Sequence, residues 1–193
     1  VLTLCLPVAA LSPAQESGDC ALEGTTPATV MSIGLDAGGD PELVLDDGRR
    51  ASLVGLDFSS RGPMAQTLLT RWLAGRLVFV RAATLDRWGR APAQIFAAAT
   101  PAPASPLIAV GGAVLEAGLA RYRPDPAAVP CRTLYLAAED AARTAHAGLW
   151  ADASMQPVDV TAPDASTALS QRKGLTLVEG GCVRSATPGA PSI

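Results

Sequence analysis

The sequence predicts a mainly β domain of the α+β class, a five-stranded Greek-key barrel with three helices. Three observations support this fold. Of the 193 residues, 49% are hydrophobic and 17% are charged, apolar runs of strand length alternate with turn residues, and longer segments carry apolar residues at helical spacing. The length suits one domain with flanking segments, and the apolar content excludes an intrinsically disordered chain.

Three strands open the predicted barrel. Residues 28–35 and 41–45 are apolar runs separated by a short glycine-containing turn, and Asp46-Asp47-Gly48 then leads into a third run over 49–57. An Asp-Gly pair between two apolar runs is a strong hairpin signal. The first third of the domain is therefore predicted to be a three-stranded meander.

A helix and a second hairpin follow. Pro63 begins a segment that ends at Gly75 and that carries apolar residues at helical spacing; these predicted core residues are Met64, Leu68, Leu69, Trp72 and Leu73. Residues 77–83 and 93–99 are predicted strands, joined by a tight turn in the sequence LDRWGRAP.

The last third is predicted to contain two more helices. The first spans residues 110–120, and the segment 121–130 is expected to be irregular because it contains three prolines. A stronger helix is predicted from Arg132 to Ala147 with Gly148 as its C-cap, and its core face is Leu134, Ala138, Ala141, Ala145 and Leu149. The resulting order, β-β-β-α-β-β-α-α, fits the oligonucleotide-binding (OB) fold.

The N-terminal residues 1–14 are apolar and uncharged, with small residues at Ser12 and Ala14. This pattern predicts the second half of a secretory signal peptide that is cleaved after Ala14; the alternative is a buried N-terminal strand. The run is shorter than the roughly 20 apolar residues that a membrane-spanning helix needs. We therefore expect a secreted or periplasmic protein without a membrane span.

After such a cleavage the chain keeps three cysteines, Cys20, Cys131 and Cys182. An oxidising compartment favours disulfide formation. Cys20 with Cys131 is the preferred pair, because it ties the mature N-terminus to the start of the last predicted helix. Sequence alone does not fix the connectivity.

The charge distribution limits the expected partners. The formal net charge is -3, so no overall positive field attracts the chain to nucleic acid or anionic lipid. A polyanionic partner requires a local basic patch.

Three stretches, DDGRRASLVGLD, LDRWGRAPAQIF and GGAVLEAGLARY with the later LAAEDAARTAHAGLW, resemble the staphylococcal nuclease (thermonuclease) family in order and spacing. The resemblance covers residues 27–152 and implies that family's OB-fold barrel. Residues 153–174 are then interpreted as a linker. Residues 175–193 resemble the first strand of a second, truncated β domain.

The resemblance implies a Ca²⁺-dependent nuclease that cleaves DNA and RNA with two metal-binding aspartates, a general-base glutamate and two phosphate-binding arginines. Calcium prefers oxygen ligands, and guanidinium groups stabilise charge on a phosphoryl group. Two of these positions are retained, as Asp57 and Arg90. Each also has a structural interpretation, Asp57 as a loop cap and Arg90 as a turn residue.

The other three positions are changed. Pro41 replaces a metal-binding aspartate, Ser52 replaces a phosphate arginine and Ser60 replaces the general base. Proline offers no side-chain oxygen, and a hydroxyl is too weakly basic to take a proton at neutral pH. Asp40 or Glu42 is a possible substitute ligand for the metal.

We therefore expect a thermonuclease-like pseudoenzyme that acts as a binding or structural module. The alternative is a residually active calcium-dependent nuclease. Two kinds of partner remain open: single-stranded nucleic acid or another polyanion, and a protein or cell-envelope component. The polyanion would bind a local groove of arginines, namely Arg49, Arg50, Arg61, Arg87 and Arg90.

Overall fold

A computed structural model describes residues 20–84, 90–102, 104–152, 155, 158–170 and 178–179. Within this part of the chain the strands are β1 (Thr26–Leu35), β2 (Pro41–Leu45), β3 (Arg50–Leu53), β4 (Leu56–Asp57), β5 (Leu77–Ala82), β6 (Arg90–Ala98), β7 (Leu107–Ala109), β8 (Arg121–Tyr122), β9 (Val158–Asp159) and β10 (Val178–Glu179). The α-helices are α1 (Gly62–Leu73), α2 (Val110–Glu116), α3 (Arg132–Thr144) and α4 (Ala165–Ser170).

Five of these strands form a closed barrel. The main sheet has the order β3-β2-β1-β5-β6-β7, and β3 also pairs with β6 in parallel, with Arg50 opposite Arg90 and Leu53 opposite Ala93. This pairing joins the two ends of the sheet and so closes β1, β2, β3, β5 and β6 into a ring. The predicted five-stranded barrel in an α+β fold is confirmed, and it is compatible with an OB-like architecture.

The barrel interior is apolar because alternate residues of each strand point inward. Leu43 and Leu45 on β2, Leu53 on β3 and Ile95 on β6 are all buried in one hydrophobic cluster. Helix α1 packs Leu69 against the same cluster. The opposite face of β2, β3 and β6 is free to carry polar groups, and the candidate site lies there.

The predicted hairpin between β2 and β3 is confirmed. Gly48 adopts a positive φ of 82°, and its amide donates to the Leu45 carbonyl. The Leu45 amide donates to the Arg49 carbonyl. The Asp47 carboxylate accepts a further bond from the Arg49 amide at 2.9 Å. Gly48 is needed here because the turn requires a left-handed backbone.

The third predicted strand, over 49–57, is wrong in one respect: it breaks at Val54 and Gly55. Gly55 has a φ of 76°, and a Cβ on it would lie 2.6 Å from Cβ of Ala128. The chain turns there, and β4 leaves the barrel to pair with β8, which sets Asp57 opposite Arg121. This break positions the candidate site.

The helices are present but rotated from the predicted core faces. On α1 the buried residues include Leu69 and Leu73, as predicted, whereas Met64 is 52% exposed and Leu68 is 39% exposed. Trp72 is half-buried, and its indole N–H donates to the Ala98 carbonyl at 3.1 Å. One side of the predicted apolar stripe therefore faces outward.

On α3 the prediction placed Ala141 and Ala145 in the core, but both are exposed. The buried residues are Tyr135, Glu139 and Ala142, and the helix ends at Thr144. This face of α3 is buried because the Glu139 carboxylate accepts a hydrogen bond from the Tyr122 amide of β8. The spacing of apolar residues does not reveal such a contact.

The proline-rich segment 121–130 was predicted to be irregular, and this is wrong. It contains β8 and a 3-10 helix, Pro126–Cys131, whose N-cap Asp125 accepts a hydrogen bond from the Ala127 amide at 2.8 Å. Proline at the first helical position loses no hydrogen bond, because that N–H has no partner within the helix.

The predicted pairing of Cys20 with Cys131 is present in the structure as a disulfide. The two residues are 111 positions apart in sequence, and their Cα atoms lie 4.5 Å apart. The bridge ties a residue six positions before the start of β1 to the residue before α3.

The segment interpreted as a linker contains β9 and α4, and β10 pairs with β9 in parallel. The predicted signal-peptide remnant, residues 1–14, and the LDRWG turn lie outside the described residues. None of the described helices is long and apolar enough to cross a membrane.

Candidate functional site

Asp57, one of the two retained positions, is held by an arginine that the sequence analysis did not select. Arg121 Nη2 donates to Asp57 Oδ2 at 2.9 Å. Ser59 donates to Asp57 Oδ1 from both its amide and its hydroxyl, each at 3.0 Å. Both carboxylate oxygens are therefore engaged, and the cation beside Asp57 is a guanidinium.

These contacts fix the charge of Asp57. Partial burial acts to raise its pKa, but the hydrogen bonds from Ser59 and Arg121 and the charge of Arg121 outweigh it, so the pKa lies below its ordinary value of 3.8. Asp57 is ionised at neutral pH. Arg121 is the group that balances it.

The other retained residue, Arg90, is also paired. It begins β6, and its Nη1 donates to Asp36 Oδ2 at 2.5 Å. Asp36 Oδ1 accepts the amides of Gly38 and Asp40 at 2.8 and 3.0 Å. Asp36 thus organises the loop between β1 and β2 and joins it to Arg90 across the barrel surface.

Asp40, the suggested substitute ligand, lies in the same loop among like charges. Burial raises its pKa above 3.8, and the charges of Asp36 and Asp57 raise it further, while Arg123 and Arg90 partly offset this effect. Asp40 is therefore close enough to both carboxylates for electrostatic repulsion to act on it. Its ionised form is less favourable than that of an exposed aspartate.

Glu42, the second suggested substitute, is a buried carboxylate on β2. It is 3% exposed, its Oε2 accepts a hydrogen bond from Arg50 Nη2, and its Oε1 has no hydrogen-bond partner among the described residues. Arg50 lies on β3, where its residue neighbour across the ladder is Val44. Asp57 Oδ2 meets a metal only in competition with Arg121, whereas Glu42 keeps Oε1 without a described partner, in a buried position.

The Arg90–Asp36 and Arg50–Glu42 ion pairs lie in one cleft. Asp36, Glu42, Arg50 and Arg90 line a cavity of about 490 Å³ together with apolar residues that include Leu35. The cleft therefore holds two carboxylates and two guanidinium groups side by side. It is the most highly charged of the described cavities.

The two changed positions whose side chains are described, Pro41 and Ser52, show no replacement chemistry. Pro41 is buried as the first residue of β2 and pairs with Leu35. Ser52 lies opposite Glu42 in the sheet and next to Pro92 of β6. Ser60 lies in the 3-10 turn before α1, and its side chain falls outside the described residues.

The predicted arginine groove is only partly assembled. Arg50 and Arg90 share the cleft, but Arg49 lies at the β2–β3 turn and pairs with Asp47. Arg61 lies elsewhere, on a groove of about 870 Å³ along the outer face of α1. Arg87 lies outside the described residues.

The groove on α1 is larger than the charged cleft but is lined by fewer charged side chains. Its described lining is apolar at Met64, Leu68 and Trp72, with Arg61 and Arg71 as its charged groups. A reaction or a specific polar ligand needs convergent polar groups, and the cleft supplies them.

Among the described residues no group of three or more aspartate, glutamate, histidine or cysteine side chains is placed to hold a metal ion. The charges of Asp36 and Asp57 both act on Asp40, but Asp36 and Asp57 are each bound to an arginine. The arrangement is a network of ion pairs.

Arg121, Arg123 and the role of Asp36 were not predicted from the sequence. Arg121 and Arg123 alternate around Tyr122 before a proline, and extended residues at this spacing place both side chains on the same face. That pattern, together with the missing arginine at Ser52, is the signal that could have identified Arg121 as the partner of Asp57.

The resemblance to the nuclease family stays a prediction from the quoted motifs. Comparison with protein-family models and with curated proteins finds no match to this chain.

Proposed function

We propose that this chain is a non-catalytic, staphylococcal-nuclease-like OB-fold protein whose charged barrel face serves as a binding site. The Arg121–Asp57 ion pair carries this proposal. Asp57 accepts one hydrogen bond from Arg121 on Oδ2 and two from Ser59 on Oδ1, so three of the roughly four lone-pair sites of its carboxylate are taken. The charge of Arg121 opposes a metal cation at the remaining site.

Calcium does not fit the residues present. Calcium takes six to eight oxygen ligands, whereas the described residues contain no carboxylate cluster that could hold a metal. Pro41 has no oxygen to offer, and Asp57 would have to release Arg121. We therefore assign no step of a reaction to calcium.

The loss of several catalytic groups also argues against activity. Removal of one general base or one electrostatic donor typically lowers a rate by about 10²- to 10⁴-fold. Here Ser52 and Ser60 stand at the positions of an arginine and the base, and Arg90 is neutralised by Asp36.

The disulfide between Cys20 and Cys131 supports a secreted or periplasmic location, since such bonds persist mainly in oxidising compartments.

One observation favours the alternative, a residually active calcium-dependent nuclease. The pKa of Asp40 is raised by burial and by the charges of Asp36 and Asp57, and a cation among these three carboxylates would relieve their repulsion. This alternative requires Arg121 or Arg90 to leave its carboxylate.

Cleavage of single-stranded DNA and of RNA by the full chain decides between the two. We expect no cleavage above background with calcium or with a chelator. Arg121→Gln is a useful second protein, because it frees Asp57 without removing any retained family residue, and we expect it to be inactive as well.

The proposal is overturned if the wild-type chain cleaves either substrate in calcium, loses this activity in chelator and loses it again on Asp57→Ala. Arg49→Gln is the matched control, because Arg49 is a half-buried turn residue whose ion pair among the described residues is with Asp47, two positions before it.

A further inference from the structure

The charged cleft contains a buried oxygen that lacks a donor. Glu42 is 3% exposed, and its Oε1 has no hydrogen-bond partner among the described residues, although Arg50 binds Oε2. A buried carboxylate oxygen without a donor is costly, and the cost is relieved by a donor, most strongly by a charged one. Oε1 is itself closed to solvent, so a ligand in the cleft that Glu42 lines supplies that donor when the carboxylate turns toward it.

Arg50 provides the complementary group. Its side chain is 57% exposed, and its one hydrogen bond among the described residues is made through Nη2 to Glu42. A guanidinium has five N–H donors, so Arg50 can bind an anionic group of a ligand while it keeps its contact with Glu42. A planar carboxylate matches the guanidinium fork.

The charge of the cleft selects the type of ligand. Asp36 and Glu42 balance Arg50 and Arg90 within the same cavity. A ligand with one charge is attracted by two of these groups and repelled by the other two. A ligand that carries both charges can place each against its opposite.

We propose that the cleft binds a small zwitterion of the α-amino acid class, an inference that rests on the binding role proposed above. The ammonium group donates to Glu42 Oε1, and the carboxylate accepts from Arg50. Leu35 and Ala37 line the same cleft and offer an apolar surface for an aliphatic side chain. A volume of about 490 Å³ lies within the range of small-molecule sites.

Calorimetric titration of the full chain with each of the twenty common L-amino acids at millimolar concentration tests this inference. We expect at least one to bind, and to bind at least tenfold more tightly than propylamine or propionate, which each carry one of the two charges. Glu42→Gln and Arg50→Gln should each weaken binding tenfold or more. Arg49→Gln should leave it unchanged, since Arg49 is adjacent in sequence but pairs with Asp47 outside the cleft.

Circular dichroism and urea unfolding of each variant separate a lost contact from a lost fold. Three results overturn the inference: no amino acid binds, propylamine or propionate binds as tightly as the best amino acid, or binding survives in both cleft variants. None of these changes the nuclease result, so failure of this inference is distinct from failure of the proposed function.

Discussion

Two buried glutamates of this protein each pair with an arginine, but among the described residues one has both carboxylate oxygens hydrogen-bonded and the other has only one. Glu139 on α3 is 4% exposed and Glu42 on β2 is 3% exposed, and each binds one arginine. Glu139 Oε1 accepts from Arg143, and Oε2 accepts from the Tyr122 amide at 2.7 Å. Glu42 uses Oε2 only.

The difference shows how a structural carboxylate can be told from a candidate ligand-binding one. Glu139 holds β8 against α3, and Arg143 in turn lies over the Trp150 ring at 4.7 Å, so its contacts are all internal. Glu42 lines a cleft with one oxygen unused. Asp57 is intermediate, because both of its oxygens are bound but its side chain is 32% exposed.

The largest effect is expected at Glu139. Glu139→Ala leaves the Tyr122 amide and Arg143 without their acceptor in a buried setting, so we expect a loss of about 3 to 5 kcal/mol in the free energy of unfolding. Urea unfolding measures it. Glu139→Gln keeps an acceptor for the amide and should lose less. Equal losses for both variants would show that the charge, and not the hydrogen bond to β8, dominates.

A smaller effect is expected at Asp57. Asp57→Asn weakens the pair with Arg121, and at neutral pH we expect a loss of about 1 kcal/mol, because solvent partly screens the pair. The folded-state pKa of Asp57 is lowered from 3.8, so its ionised form stabilises the fold above that value. This stabilisation is lost as the pH falls through the folded pKa.

The measurement is urea unfolding of wild type and Asp57→Asn at neutral pH and at about pH 3. The difference in free energy of unfolding between the two proteins should be smaller at the acidic pH. A gap that is constant across this range would mean that the Asp57 charge does not act on stability.

The smallest effect is expected at Glu42. Glu42→Leu removes the carboxylate oxygen that has no donor, and Arg50 is exposed enough to be solvated alone, so we expect a change within about 1 kcal/mol of wild type. The same unfolding assay applies. If Glu42→Leu lost as much free energy of unfolding as Glu139→Ala, then Glu42 would be a structural residue like Glu139.

The barrel could be predicted from sequence because its signals are local. The Asp47-Gly48 turn fixes one hairpin, and alternating apolar residues mark the strands. The break at Gly55 was missed because its cause is the approach of Ala128, a residue distant in the chain. The face of α3 was misjudged because its buried polar residue Glu139 is invisible to a hydrophobic pattern.

The site was less predictable than the fold. Asp57 and Arg90 were identified through family motifs, but their partners, Arg121 and Asp36, come from other parts of the chain. Which carboxylate meets which arginine depends on barrel closure and on the pairing of β4 with β8. Apart from the spacing of Arg121 and Arg123, the sequence contains no signal for such contacts.

The disulfide between Cys20 and Cys131 makes one covalent loop of all the barrel strands. A protease that cuts the chain once between these cysteines therefore opens the loop without releasing a fragment, since both new ends remain attached through the bridge. A domain with this bridge stays in one covalent piece after a nick in an exposed connection such as residues 100–102, and its two pieces separate only when a reductant is present.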